Sequence, residues 1–99
     1  MIFVINNMKY DTDKMERIAK VKKWYPFQNS LLNDMFGRDM GTVYDCDLWR
    51  SPKGNWLLTH EETSYRTRGQ AIGTDEAKEL LMQYALDKYE ALFGCLEEA

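Results

Sequence analysis

The segment from Thr42 to Glu61, TVYDCDLWRSPKGNWLLTHE, constrains the fold more than any other because it reads as one closed object. Pro52-Lys53-Gly54 at its centre is turn chemistry. Proline presets φ for the first turn position, and glycine accepts the left-handed conformation that closes a bulged hairpin loop. Pairing Ser51 with Asn55 then sets the register: Leu48 opposite Leu58, Asp47 opposite Thr59, Cys46 opposite His60 and Asp45 opposite Glu61. Side chains alternate across a strand, so Tyr44, Cys46, Leu48, Trp56, Leu58 and His60 are expected on one face, against the core. Asp45, Asp47, Trp49, Leu57, Thr59 and Glu61 are expected on the other, an acidic surface carrying an exposed Trp-Leu pair. A slip of one residue would rearrange the cross-strand pairs, so the assignment depends on Ser51 pairing with Asn55.

The flanking segments read as strand and helix. Ile2–Ile5 is a short apolar strand, and Asn6-Asn7 is a two-residue turn into Met8-Lys9-Tyr10. Asp11 or Thr12 can cap a first helix, on which Met15, Ile18, Ala19 and Lys22 fall at helical spacing and which Tyr25-Pro26 ends. Ser30–Phe36 forms a short second helix stopped by Gly37. Thr63–Gln70 reads as an exposed loop, with Ala71-Ile72 as a short edge strand. Thr74 is a good N-cap, with Asp75 and Glu76 in the first turn, and a long last helix runs to about Phe93, where Gly94 ends it. That helix has two apolar stripes. Ala77, Leu81, Tyr84, Ala85 and Leu92 suit a sheet-covering face, whereas Met82, Leu86, Tyr89 and Phe93 offer a surface for a homodimer.

The expected fold is therefore α+β: a small antiparallel sheet of three to five strands packed against an N-terminal helix and a long C-terminal helix. Residues 1–99 make a single domain, because one core is the norm for about 100 to 150 residues. Thirteen aromatic residues among the 99 are enough for such a core and too many for a disordered chain. No apolar run approaches the roughly 18 residues of a membrane span, and the N-terminus lacks a signal-peptide layout, so the expectation is a cytoplasmic protein. Cys46 and Cys95 are too few for a disulfide framework and are expected as reduced thiols.

Three kinds of chemistry compete for the function. Cys46 and His60, if opposed in the hairpin, could make a thiol nucleophile and its base, oriented by Glu62 or Asp45. Their place on the core face argues instead for an inert buried thiol. One histidine and no Cys-x-x-Cys imply no metal site, and no phosphate-cradling glycine loop follows a strand, so no cofactor is expected.

Nucleic-acid binding is the second kind. Residues 9–23 hold six basic residues against three acidic ones. Lys20, Lys22, Lys23 and Trp24, with Tyr65, Arg66 and Arg68, mix cations with rings that could meet phosphates and unpaired bases. The net charge of −3 counts against it. Protein binding is the third. Asp45, Asp47, Trp49, Leu57, Glu61 and Glu62 would form an aromatic anchor with an anionic rim.

Three motifs in order also resemble a known group. They are Asn7-Met8-Lys9-Tyr10-Asp11-Thr12, Lys53-Gly54-Asn55-Trp56-Leu57-Leu58 and Thr74-Asp75-Glu76-Ala77. Together they are similar to small, mostly uncharacterised proteins from phages and mobile elements of Gram-positive bacteria. In that group the hairpin is often followed by a glycine-rich segment, where this chain has His60-Glu61-Glu62-Thr63. The resemblance brings no catalytic residues. It implies a non-enzymatic accessory protein that binds and inhibits a host or defence protein, including the case of an anti-CRISPR acting on a CRISPR effector.

Overall fold

The computed structural model describes residues 1–26 and 41–99; the helix expected over residues 30–36 and its stop at Gly37 lie outside them. The fold is α+β; the described residues form a four-stranded antiparallel sheet, a separate two-stranded sheet and two helices. Strands β1 (Ile2–Ile5) and β2 (Met8–Asp11) form the small sheet. Their Asn6-Asn7 turn has both residues at positive φ, 52° and 63°, the tight geometry that follows the twist of its strands. Thr12–Lys14 is one 3-10 turn, capped by the Asp11 carboxylate, which accepts from the Asp13 N–H at 3.1 Å.

The expected N-terminal helix is instead strand β3, Glu16–Pro26. It lies antiparallel beside β4, Gly41–Arg50, with Val21 opposite Cys46 and Lys23 opposite Tyr44. A bulge between Arg17 and Ala19 puts Ile18 and Val21 both into the core although they are three positions apart, the spacing that imitates a helix. Beyond the bulge the period is two: Val21 is buried, Lys23 and Tyr25 are half-buried, and Lys20, Lys22 and Trp24 are exposed. β-Branched and aromatic residues favour this pleated surface, and the long flank of β4 supplies the neighbouring strand that its backbone groups need.

The hairpin register holds where the two strands pair. Ser51 N donates to Asn55 O at 2.8 Å, Gly54 sits at φ 84°, and β4 meets β5 (Trp56–Thr63) from Arg50–Trp56 to Asp47–Thr59. The region read as a loop is largely strand β6, Arg66–Ile72, which pairs with β5 from Trp56–Ile72 to Thr63–Arg66. The sheet order is β3-β4-β5-β6.

The long last helix is two helices, α1 (Thr74–Tyr84) and α2 (Leu86–Phe93). Ala85 leaves helical geometry at φ −150°, ψ 63°; its N–H closes α1 on Leu81 O, and its carbonyl opens α2 to Lys88 and Tyr89. Gly73, not Thr74, occupies the N-cap position, with its carbonyl accepting from Ala77 N at 3.1 Å. Gly94, at φ 100°, ends α2 as its place in the sequence suggests. The break turns α2 back so that Tyr89, Leu92 and Phe93 pack on the core, with the Phe93 and Trp56 rings 6.2 Å apart. The second apolar stripe is thereby split, Met82 and Leu86 staying exposed.

The core lies between the helices and the inner face of the large sheet: Ile18, Val21, Cys46, Leu48, Trp56, Leu58, Ala77, Leu80 and Leu81. The small sheet occupies the opposite face. A Cβ built on Gly69 would lie 2.7 Å from a ring carbon of Phe3, and Gly69 stands opposite Thr59, on the outward side of the hairpin. Glycine is required there because the Phe3 ring rests on bare backbone.

Candidate functional site: a cleft where the sheet divides

The ladder between β4 and β5 stops at Asp47–Thr59, although β4 begins at Gly41 and β5 runs on to Thr63. Beyond that point β4 pairs with β3 and β5 pairs with β6, so the sheet divides into two arms. Cys46–His60 and Asp45–Glu61, expected as direct cross-strand pairs, fall past the end of the ladder and do not pair. Aromatic rings occupy the inner face at this point. The rings of Tyr25, Tyr44 and His60 stack across the gap, with centroids 4.6 Å apart for Tyr25–His60 and 4.5 Å for Tyr44–His60.

On the outer side, the division opens a cleft of about 620 Å³. Its walls include Asp45, Asp47, Trp49, Thr59 and Glu61, with Lys20, Met1 and Phe3. Four of the six residues expected to bind a protein partner thus line one concavity. The other two lie elsewhere. Leu57 is 0% exposed, so the expected exposed Trp-Leu pair does not exist; the small sheet lies over that face. Glu62 takes part in a second, smaller cleft on the ring side. Trp49 is half-buried, and its indole N–H donates to Thr59 Oγ1 at 2.9 Å, which leaves the ring facing the cleft with its one polar atom satisfied.

The face is not simply acidic. Because β3 is a strand, Lys20 stands opposite Asp47 and Lys22 opposite Asp45, and Lys22 Nζ lies 3.7 Å from Asp45 Oδ1. This exposed pair contributes little stability, but it sets a mixed-charge border. Sequence reasoning missed it because a helix would have carried those lysines away from the hairpin.

The basic-aromatic residues are likewise redistributed. Trp24 is 49% exposed and Tyr65 100%, the first near the end of β3 and the second in the β5–β6 turn, so they mark the tips of the two arms. Their cationic neighbours are engaged within the chain. Lys23 Nζ meets Glu76 Oε1 at 2.5 Å, and Arg66 and Arg68 both address Glu62.

Cys46 and His60 are both buried, and no hydrogen bond joins them among the described residues. The thiol lies 3.5 Å from the Tyr44 carbonyl. Burial pushes the Cys46 thiol up, with Lys23 and the Tyr25 hydroxyl pulling the other way. Burial pushes His60 down, helped by Arg68 and opposed by Glu62. Burial raises the Tyr25 phenol as well, so the uncharged form of all three side chains is the favoured one. Among the described residues, no group of three or more His, Cys, Asp or Glu is placed to hold a metal ion. No described helix is long and apolar enough to cross a membrane. No family model matches the chain, and no curated protein or solved structure matches it either.

Proposed function

We propose that this chain is a non-enzymatic binding protein whose outer cleft receives a surface of a partner protein. In the form suggested by its sequence motifs, it is a phage or mobile-element accessory protein that blocks a host or defence protein, with a CRISPR effector as the named candidate. The observation that carries the binding reading is the cleft at the end of the β4–β5 ladder. It joins a half-buried aromatic ring, Trp49, to the carboxylates Asp45, Asp47 and Glu61 in one concavity of about 620 Å³. Aromatic side chains in concave sites supply most of the binding energy, and border charges set encounter rate and choice of partner. A partner presenting an apolar group beside one or two cations suits this arrangement. The internal pairing of Lys23, Arg66 and Arg68 favours a protein over a nucleic acid, since those cations are already answered by carboxylates.

The deciding experiment places a photo-cross-linking residue at position 61 and identifies the captured protein from host lysate by mass spectrometry. Binding is then reconstituted with that protein purified. Asp47→Asn with Trp49→Ala should leave the circular dichroism spectrum in place and reduce reconstituted affinity at least about tenfold, as loss of an anchor residue does. Unchanged affinity in that variant removes the cleft from the binding surface. Asparagine is preferred to lysine because a lysine at position 47 would face Lys20 directly.

A further inference from the structure

A further groove lies against the hairpin loop. It has a volume of about 410 Å³, within the roughly 300–1,000 Å³ of small binding sites. Met8, Tyr10, Met15 and Pro52 supply apolar lining, and Lys9, Lys14 and Lys53 stand around it. All three lysines are exposed, and none has an ion-pair partner among the described residues, in contrast to Lys22, Lys23, Arg66 and Arg68. Among the described residues Asp11 is the one carboxylate in its wall, and its Oδ1 accepts from the Asp13 N–H. The groove is thus apolar at its base and cationic at its rim. Its chemical complement is an apolar side chain followed closely by carboxylates.

This chain carries such a segment. After Gly94 turns it away from α2, residues 94–99 are exposed and make no regular structure. Leu96 is 47% exposed and is followed by Glu97 and Glu98. The segment leaves from the inner face, where Phe93 packs on Trp56, whereas the groove is bounded by the small sheet of the outer face. We propose that the groove receives the Leu96–Glu98 segment of a second copy of this chain. Leu96 lies over Met8 and Met15, and Glu97 and Glu98 face Lys9, Lys14 and Lys53. When each copy places this segment in the other's groove, the contact is reciprocal and the assembly is a dimer. The interface is small, so association is weak and depends on concentration and salt.

Sedimentation equilibrium of the purified chain across a concentration series tests this. At low salt the mass should rise toward twice the 11.7 kDa of one chain, and high salt should return it toward the monomer. Lys14→Glu with Lys53→Glu should weaken dimerisation by roughly tenfold or more, and Glu97→Lys with Glu98→Lys should do the same. All four positions are exposed, so both variants keep the fold. An equimolar mixture of the two variants should recover dimers, because each tail then meets a groove of opposite charge. A wild-type chain that stays monomeric throughout the series overturns the proposal. Persistence of dimers in either variant, or failure of the mixture to recover them, also overturns it; a dimer through Met82 and Leu86 would behave in the first way.

Discussion

The Trp49 indole N–H donates to Thr59 Oγ1 at 2.9 Å, across the hairpin and beside the last paired residues of the β4–β5 ladder. The bond pins the two strands just before they part and orients the ring that lines the cleft. Thr59→Val keeps the shape and removes the acceptor, leaving a half-buried donor without a partner. The expected loss is about 1 kcal/mol, read as a lower urea midpoint at unchanged slope. An unchanged midpoint would show that the bond does not hold the fork together.

Gly69 beneath Phe3 provides a test of the docking of the small sheet. Gly69→Ala would bring a Cβ within 2.7 Å of the Phe3 ring and should cost about 1–3 kcal/mol. Phe3→Ala alone should also destabilise, by loss of cover on the outer face. Combined, the two changes should cost less than their sum, because the alanine at position 69 no longer meets a ring. Strict additivity in denaturant titrations would place Phe3 elsewhere.

His60 gives the fold a pH dependence whose direction follows from its burial. Its folded-state value lies below the ordinary 6.5, so the native state binds a proton less readily than the unfolded chain. The associated stability is complete above the unfolded value. It falls as pH drops below 6.5 toward the folded value, where the unfolded state takes up the proton first. Denaturant titrations at neutral and mildly acidic pH should therefore show a stability loss on acidification that His60→Gln reduces. An equal loss in both proteins would assign the acid sensitivity to other groups.

Nucleic-acid binding is expected to be weak despite the two basic-aromatic clusters. A fluorescently labelled single strand should show little anisotropy change at low salt. Glu62→Gln, which releases Arg66 and Arg68, should raise the affinity. Tight, steeply salt-dependent binding by the wild-type chain would reverse the preference for a protein partner.

Much of this arrangement is local and therefore legible in the residue order. Asn6-Asn7, Pro52-Lys53-Gly54 and Gly94 act through their own backbone preferences, and the alternation from Trp49 back to Cys46 marks which hairpin face is buried. The segment from Glu16 to Pro26 was less readable. Its bulge places Ile18 and Val21 at helical spacing, and only the neighbouring flank of β4 makes a strand the better solution. Leu57 departs from its expected exposure for a related reason: alternation assigns it to the face opposite the core, but says nothing about what else covers that face.

The sequence alone determined the α+β class, the hairpin loop with its register, the first turn and the stop after Phe93. Each depends on dihedral preferences or side-chain alternation among neighbours in the chain. The tertiary structure decided that the lysines of β3 stand beside Asp45 and Asp47, that the last helix breaks at Ala85, and that the sheet divides after Asp47–Thr59. Those features arise from contacts between residues distant in sequence: the stacked rings of Tyr25, Tyr44 and His60, the Phe93 ring near Trp56, and Phe3 on Gly69. Packing among distant side chains has no periodicity along the chain, and the candidate cleft is a product of that packing.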